Sequence, residues 1–154
     1  MPNSSRTIIS DTSCLIILSK INEFELLKKS ANRILVTNTI AKEFKHPLPE
    51  WIKVREPAGR HYQKILELDV HAGEASAIAL SLEIDNSILL IDDLKARKIA
   101  EKLSLKFSGT LGLILNAKQK GIIRSIKPIL DIIKTTNFRF DHKLLDSILE
   151  EANE

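Results

Sequence analysis

The chain is poor in the residues that staple or interrupt small folds. Among 154 residues there is one cysteine, Cys14, so no disulfide closes within the chain and no cysteine-rich zinc site can be built. A lone thiol fits a reducing cytoplasm. Cys14 lies inside an apolar stretch with no base nearby in sequence, and reads as a small buried side chain rather than a nucleophile. The four histidines, His46, His61, His71 and His142, show neither HxxxH nor HxH spacing, which argues against zinc. No P-loop, GxGxxG or GxSxG motif occurs, so nucleotide-binding and serine-hydrolase readings lose support. Apolar runs stay well short of the roughly 20 residues that cross a bilayer. The polar start, residues 1–6, lacks the apolar core of a signal peptide. A cytoplasmic protein without membrane association is expected. Glycine and proline number five each, and no linker rich in them divides the sequence, so one domain over residues 1–154 is expected.

What is present is ordinary in bulk: 44% hydrophobic and 28% charged residues, enough for a sizeable core. The net charge of +3 and a pI near 9.0 permit a polyanionic partner without demanding one. The informative feature is where apolar runs stop. Thr7, Ile8, Ile9 and Ser10 end at Asp11; Ser87, Ile88, Leu89, Leu90 and Ile91 end at the pair Asp92 and Asp93. Short Ile-rich runs read as buried parallel strands. In open parallel sheets, ligands bind beyond the carboxyl ends of the strands. Acids gathered there need a cation or a shared proton to coexist, so a metal site is the first hypothesis.

The pattern alternates strands and helices. Strands are expected near 7–11, 33–36, 51–55, 88–91 and 106–107. Helices are expected near 21–29, 39–45, from 60, at 71–80, at 93–103, after Gly109, and near 126–135 and 141–152. Gly121 is a stop. Ala96, Ile99, Ala100 and Leu103 should face inward on one helix, and Leu144, Leu145, Ile148 and Leu149 on the last. The fold class is α/β, a three-layer α/β/α sandwich around a mainly parallel sheet.

Each acid has a plain reading beside the functional one. Asp11 reads as a helix cap or turn former, or as a ligand. Ser13, two residues on, caps the next segment or hydrogen-bonds water in a metal site. Glu74 starts an alanine-rich helix, where an acid complements the dipole. Its place above Ala77 and Ile78, at the rim of an apolar stripe, favours a cleft. Of Asp92 and Asp93 only one can point into a cleft while the other caps, and spacing does not separate them. Glu43, on a face with Ile40, reads in isolation as solvent-exposed. Lys95, Arg97, Lys98 and Lys102 follow the acid pair on one helix, as a solvated face or as phosphate contacts.

The segments SDTSCLIIL, HAGEASAIALSLE, LLIDDLKARKIAEKL and FSGTLGLIL, in this order over about residues 7–150, resemble a prokaryotic subgroup of the PIN domain family. The resemblance implies a small nuclease on a parallel sheet. It implies an acidic centre of Asp11, Glu43, Glu74 and Asp93 or Asp92, with Mg²⁺ or Mn²⁺ as cofactor. Hard oxygen donors suit such ions. Asp11 is then the central ligand, Glu74 and Asp93 stand alongside, and Glu43 acts through water or as a weak second-site ligand. Two departures from the VapC-type toxins of the family stand out. Glu74 replaces their Asp, and Ile91, Asp92 and Asp93 replace their Thr-x-Asp, so Thr110 is the candidate source of that hydroxyl. Without metal, mutual repulsion should raise at least one carboxyl pKa. The implied activity is metal-dependent ribonuclease. The implied partners are RNA, a small antitoxin protein that lays a short peptide over the cleft, and a second copy of the chain, with the C-terminal helices contributing to a homodimer.

Competing readings are a PIN fold that binds nucleic acid or protein without cutting, and a haloacid-dehalogenase-type phosphatase. The phosphatase needs a second Asp where Ser13 stands. A receiver domain needs an acid pair before Asp11, which is absent.

Overall fold

The computed structural model describes residues 6–138 and 140–154; except for Arg6, the polar start read above as carrying no export signal lies outside the described residues. Five strands form one all-parallel sheet in the order β3-β2-β1-β4-β5. They are β1 (Thr7–Ser10), β2 (Arg33–Val36), β3 (Ile52–Val54), β4 (Ser87–Leu90) and β5 (Phe107–Ser108). The sequence order reverses at β1, which has β2 on one side and β4 on the other. All four residues of β1 are buried, as expected of a central strand covered on both faces.

Helices flank the sheet, so the α/β/α sandwich read from the sequence is the fold. On one side lie α5 (Ala72–Ser81) and α6 (Leu94–Lys102), against β1, β4 and β5; on the other lie α2 (Glu25–Ser30) and α7 (Thr110–Gln119). Every residue from Gly73 through Ser81 of α5 is buried. Its small alanines let the helix approach β1 and β4 closely. The remaining helices are α1 (Thr12–Lys20), α3 (Asn38–Phe44), α4 (Arg60–Leu66), α8 (Lys127–Lys134) and α9 (His142–Glu151). The seven-residue α4 buries none of its side chains; Tyr62 and Ile65 are each 63% exposed. No helix among the described residues is long and apolar enough to cross a membrane.

Three local expectations are corrected. The single helix near 21–29 is instead α1 and α2, because helix begins directly after Asp11 and stops at Asn22, whose φ of 59° is left-handed. Leu103 is exposed because it lies past the last turn of α6, as its C-cap. Leu144 is exposed because it stands about 100° around α9 from Leu145, whose stripe with Ile148 faces the core. Gly121, with φ of 76°, ends the segment after α7 as expected.

Candidate active site

The reversal of strand order places two strand ends side by side, the position at which parallel sheets bind ligands. The Asp11 N–H donates to the Leu90 carbonyl (3.0 Å), and the Ile91 N–H to the Ser108 carbonyl (2.8 Å). These bonds draw the segments after β1, β4 and β5 to one edge. They bring Asp11, Asp92 and the Gly109–Thr110 turn together from distant parts of the sequence.

Asp11 precedes α1, yet its carboxylate makes no side-chain cap bond. It is 3% exposed. Burial pushes its pKa from 3.8 up to about 7; the Thr12 backbone N–H opposes this, while Glu74, Glu43 and Asp92 raise it further. Glu74, Glu43 and Asp92, on three other segments, are thus near enough for their charges to act on Asp11.

Asp92 is the most firmly held of the candidate site acids. Its Oδ1 accepts the Thr110 N–H (2.9 Å), and its Oδ2 accepts the Thr110 hydroxyl (2.7 Å) and the Cys14 thiol (3.5 Å). Burial, and next Asp92, push the Cys14 pKa well above 9.0, so the thiol keeps the proton that it donates. Gly109 leaves space for this arrangement, since a Cβ there would stand 2.5 Å from Asp92 Oδ1. Asp93, by contrast, caps α6, its Oδ2 accepting the Ala96 N–H (2.9 Å). Of the two candidate ligands, Asp93 thus takes the cap position and Asp92 is held by Thr110 and Cys14. Asp93 still lines the cleft, where its charge acts on Glu74.

Glu74 does both things read for it. Its Oε1 accepts the His71 N–H (3.1 Å) at the start of α5, and the residue is 8% exposed. Burial raises its pKa; the His71 N–H lowers it, Asp93 raises it, His71 lowers it and Glu43 raises it. Glu43 is exposed on α3, yet its Oε1 accepts the Thr12 hydroxyl (2.6 Å), tying it to the residue after Asp11. It lies so close to Gly73 that a Cβ there would overlap its carboxylate. A buried relay sets that spacing. The Thr37 hydroxyl accepts the Ile40 N–H and donates to Ser76, whose hydroxyl donates to the Gly73 carbonyl (2.7 Å).

Ser13 is exposed at the second position of α1. Lys95, Lys98 and Lys102 are exposed on α6, and Lys95 lies 4.0 Å from Asp69. Glu74, Asp93 and Lys95 line an open cleft of about 300 Å³ with His71, Asp69 and Glu67. Among the described residues, no three His, Cys, Asp or Glu side chains are placed so as to hold a metal ion as they stand. The donor set still suits a hard cation in kind: all its ligating atoms are carboxylate oxygens, and Asp11, the most buried of them, has its pKa raised to about 7 chiefly by burial.

Sequence reasoning missed Cys14 as a donor to Asp92, and the Thr37–Ser76 relay. The only available signals were the small residues Gly73 and Gly109 beside candidate acids. Among curated proteins none matches the chain. A family model described as PIN domain matches residues 7–154. That span holds the whole sheet and every acid of the cleft: the chain belongs to the PIN domain family, whose members are generally nucleases.

Proposed function

We propose that the protein is a metal-dependent ribonuclease of the cytoplasm, hydrolysing RNA phosphodiesters as the toxin of a toxin–antitoxin pair. One observation carries the reading. Asp11 is buried at the end of the central strand, with Glu43 tied to the next residue, Thr12, and Asp92 held at the end of the neighbouring strand; burial raises its pKa to about 7, which suits proton handling at neutral pH. PIN domains typically use divalent ions. Here Asp11, Asp92 and Glu74 would hold Mg²⁺ or Mn²⁺, with Asp93 at the cleft and Glu43 through water. Bound there, such a cation would supply positive charge to the scissile phosphate and its leaving oxygen and would lower the pKa of the attacking water. Thr110 and Cys14 fix the Asp92 carboxylate beyond the end of β4; Thr12 ties Glu43 to the residue after Asp11. The test is cleavage of RNA with Mn²⁺. Asp11→Asn should abolish it with the fold intact, and EDTA should stop the parent. Cleavage untouched by either treatment rules the reading out.

The spread of the carboxylates, with Asp93 committed as a cap, favours a second reading: a fold that holds nucleic acid without cutting. Calorimetric titration separates the two, because this alternative expects no Mn²⁺ binding at millimolar concentration. An antitoxin, sought in a neighbouring reading frame that encodes a small DNA-binding protein, and a second copy of the chain are the proposed protein partners. For the second copy, exposed Tyr62 and Ile65 on α4 offer an apolar face, as do Ile132 and Leu144 on the C-terminal helices. Ile65→Glu should convert a dimer to a monomer in sedimentation; a dimer that survives it lies elsewhere.

A further inference from the structure

The four cations of α6 do not share a face. Lys95, Lys98 and Lys102 recur at helical spacing on the solvent side. Arg97 stands about 200° around the helix from Lys95 and is half-buried. Its guanidinium carbon lies 5.2 Å from the centroid of the Phe107 ring. Its Nη1 is 3.7 Å from the point where a Cβ on Gly109 would stand, and Asp92 Oδ1 is 2.5 Å from that same point. Arg97 therefore lies beside Asp92 at the end of β5, on the side of α6 turned away from the cleft-lining Lys95.

This guanidinium is positioned but not used. Among the described residues no carboxylate lies within ion-pair distance of it, and no protein acceptor takes its N–H groups. Contact with a ring fixes the plane of a guanidinium and leaves its edge free. A fixed, planar, unpaired fork matches two oxygens of one phosphate. The lysines are solvated point charges on mobile stems, so they attract a strand without fixing its register.

We propose that Arg97 is the seat of a backbone phosphate of single-stranded RNA, bound beside the carboxylate centre on the β5 side. The seat sets where the strand lies relative to Asp11. The proposal rests on the nuclease reading only for the identity of the ligand as RNA.

The test is fluorescence anisotropy with a fluorescein-labelled single-stranded RNA, in the Asp11→Asn background and over a range of salt. Arg97→Gln should weaken binding about tenfold and reduce the slope of log K against log salt by about 0.7, the share of one phosphate contact on a single strand. Arg97→Lys should keep the slope and recover part of the affinity. Lys98→Gln should change both less than Arg97→Gln does. Equal affinity and slope for Arg97→Gln and its parent would overturn the seat, as would loss of slope in Lys98→Gln but not in Arg97→Gln. A purely packing role for Arg97 would lower the melting temperature without moving the slope, which also overturns it. Should Arg97→Gln not fold, Arg97→Lys decides: a slope reduced like that expected for the glutamine variant contradicts the proposal. Failure of the nuclease reading is seen separately, as wild-type protein that leaves the same RNA uncut in Mn²⁺.

Discussion

Replacing Asp11 with Asn should make the metal-free protein more stable, increasingly so as pH rises. The folded pKa of Asp11 is about 7 against 3.8 for the free group. Between those values the folded state binds more protons than the unfolded state, so stability falls as pH climbs, and the penalty is complete above 7. At about 1.4 kcal/mol per pH unit the gap is worth about 4 kcal/mol. An asparagine escapes that penalty. Its amide needs a hydrogen-bond partner at a site built for a carboxylate, which removes about 1–2 kcal/mol of the gain. Asp11→Asn should then gain about 2–3 kcal/mol at pH 8 in EDTA, which raises the midpoint of thermal unfolding by about 5–10 °C in a domain of this size. At pH 5 the gain should shrink to near zero, because wild-type Asp11 is then largely protonated in the fold. Calorimetry at the two pH values, with urea unfolding as a second measure, reads the difference. A variant that melts at or below the wild type at pH 8, or a gain independent of pH, would refute the reasoning. Mn²⁺ should raise the wild-type midpoint and leave the variant's unchanged.

Thr110→Val keeps the volume and the backbone N–H but removes the hydroxyl held by Asp92 Oδ2. Metal affinity, read by calorimetry, should fall about 10–100-fold with the fold intact. Gly73→Ala puts a methyl where the Glu43 carboxylate lies, so Glu43 must leave Thr12. Mn²⁺-dependent cleavage should drop while far-UV circular dichroism stays unchanged. Glu154 accepts N–H bonds from Ile126 and Lys127 and binds Lys118 and Ser125, and these hold its pKa at about 2 rather than 4.5. Its stabilisation is present above 4.5 and lost as pH falls toward 2. Glu154→Gln should remove that part of the acid sensitivity in an acid titration of the fold.

The acids at the ends of β1 and β4 were legible because an apolar run that stops at a carboxylate marks both a buried strand and its ligand-binding end. Which of Asp92 and Asp93 is held by the turn after β5, and which caps α6, was not. Adjacent residues leaving a strand point apart, and the choice rests on Thr110, 18 positions later and brought near only by β4–β5 pairing. Cys14 read correctly as buried, but its neighbour across the sheet edge lies 78 positions away. The start of α1 was hidden for another reason. The run Cys14, Leu15, Ile16, Ile17 and Leu18 is apolar all round, so no periodicity tells helix from strand. Glu43 looked like a surface acid and is one by exposure. Its link to Thr12 depends on how α3 packs against α1, which local pattern does not encode.

The helix α4 has a consequence for how the molecule comes apart. A helix of seven residues is too short to persist by backbone bonds alone, and α4 contributes no buried side chain whose loss would resist its melting. In the single chain, opening it exposes little apolar surface beyond Leu66, so it forms a weak cooperative unit next to a rigid sheet. The turn that follows, residues 67–71, walls the cleft beside Glu74 and Asp93. The doorway to the carboxylates is therefore hung on the segment that unravels first. On gentle warming, amide exchange and proteolytic nicking should begin there, while the strand ends that carry Asp11 and Asp92 are still closed.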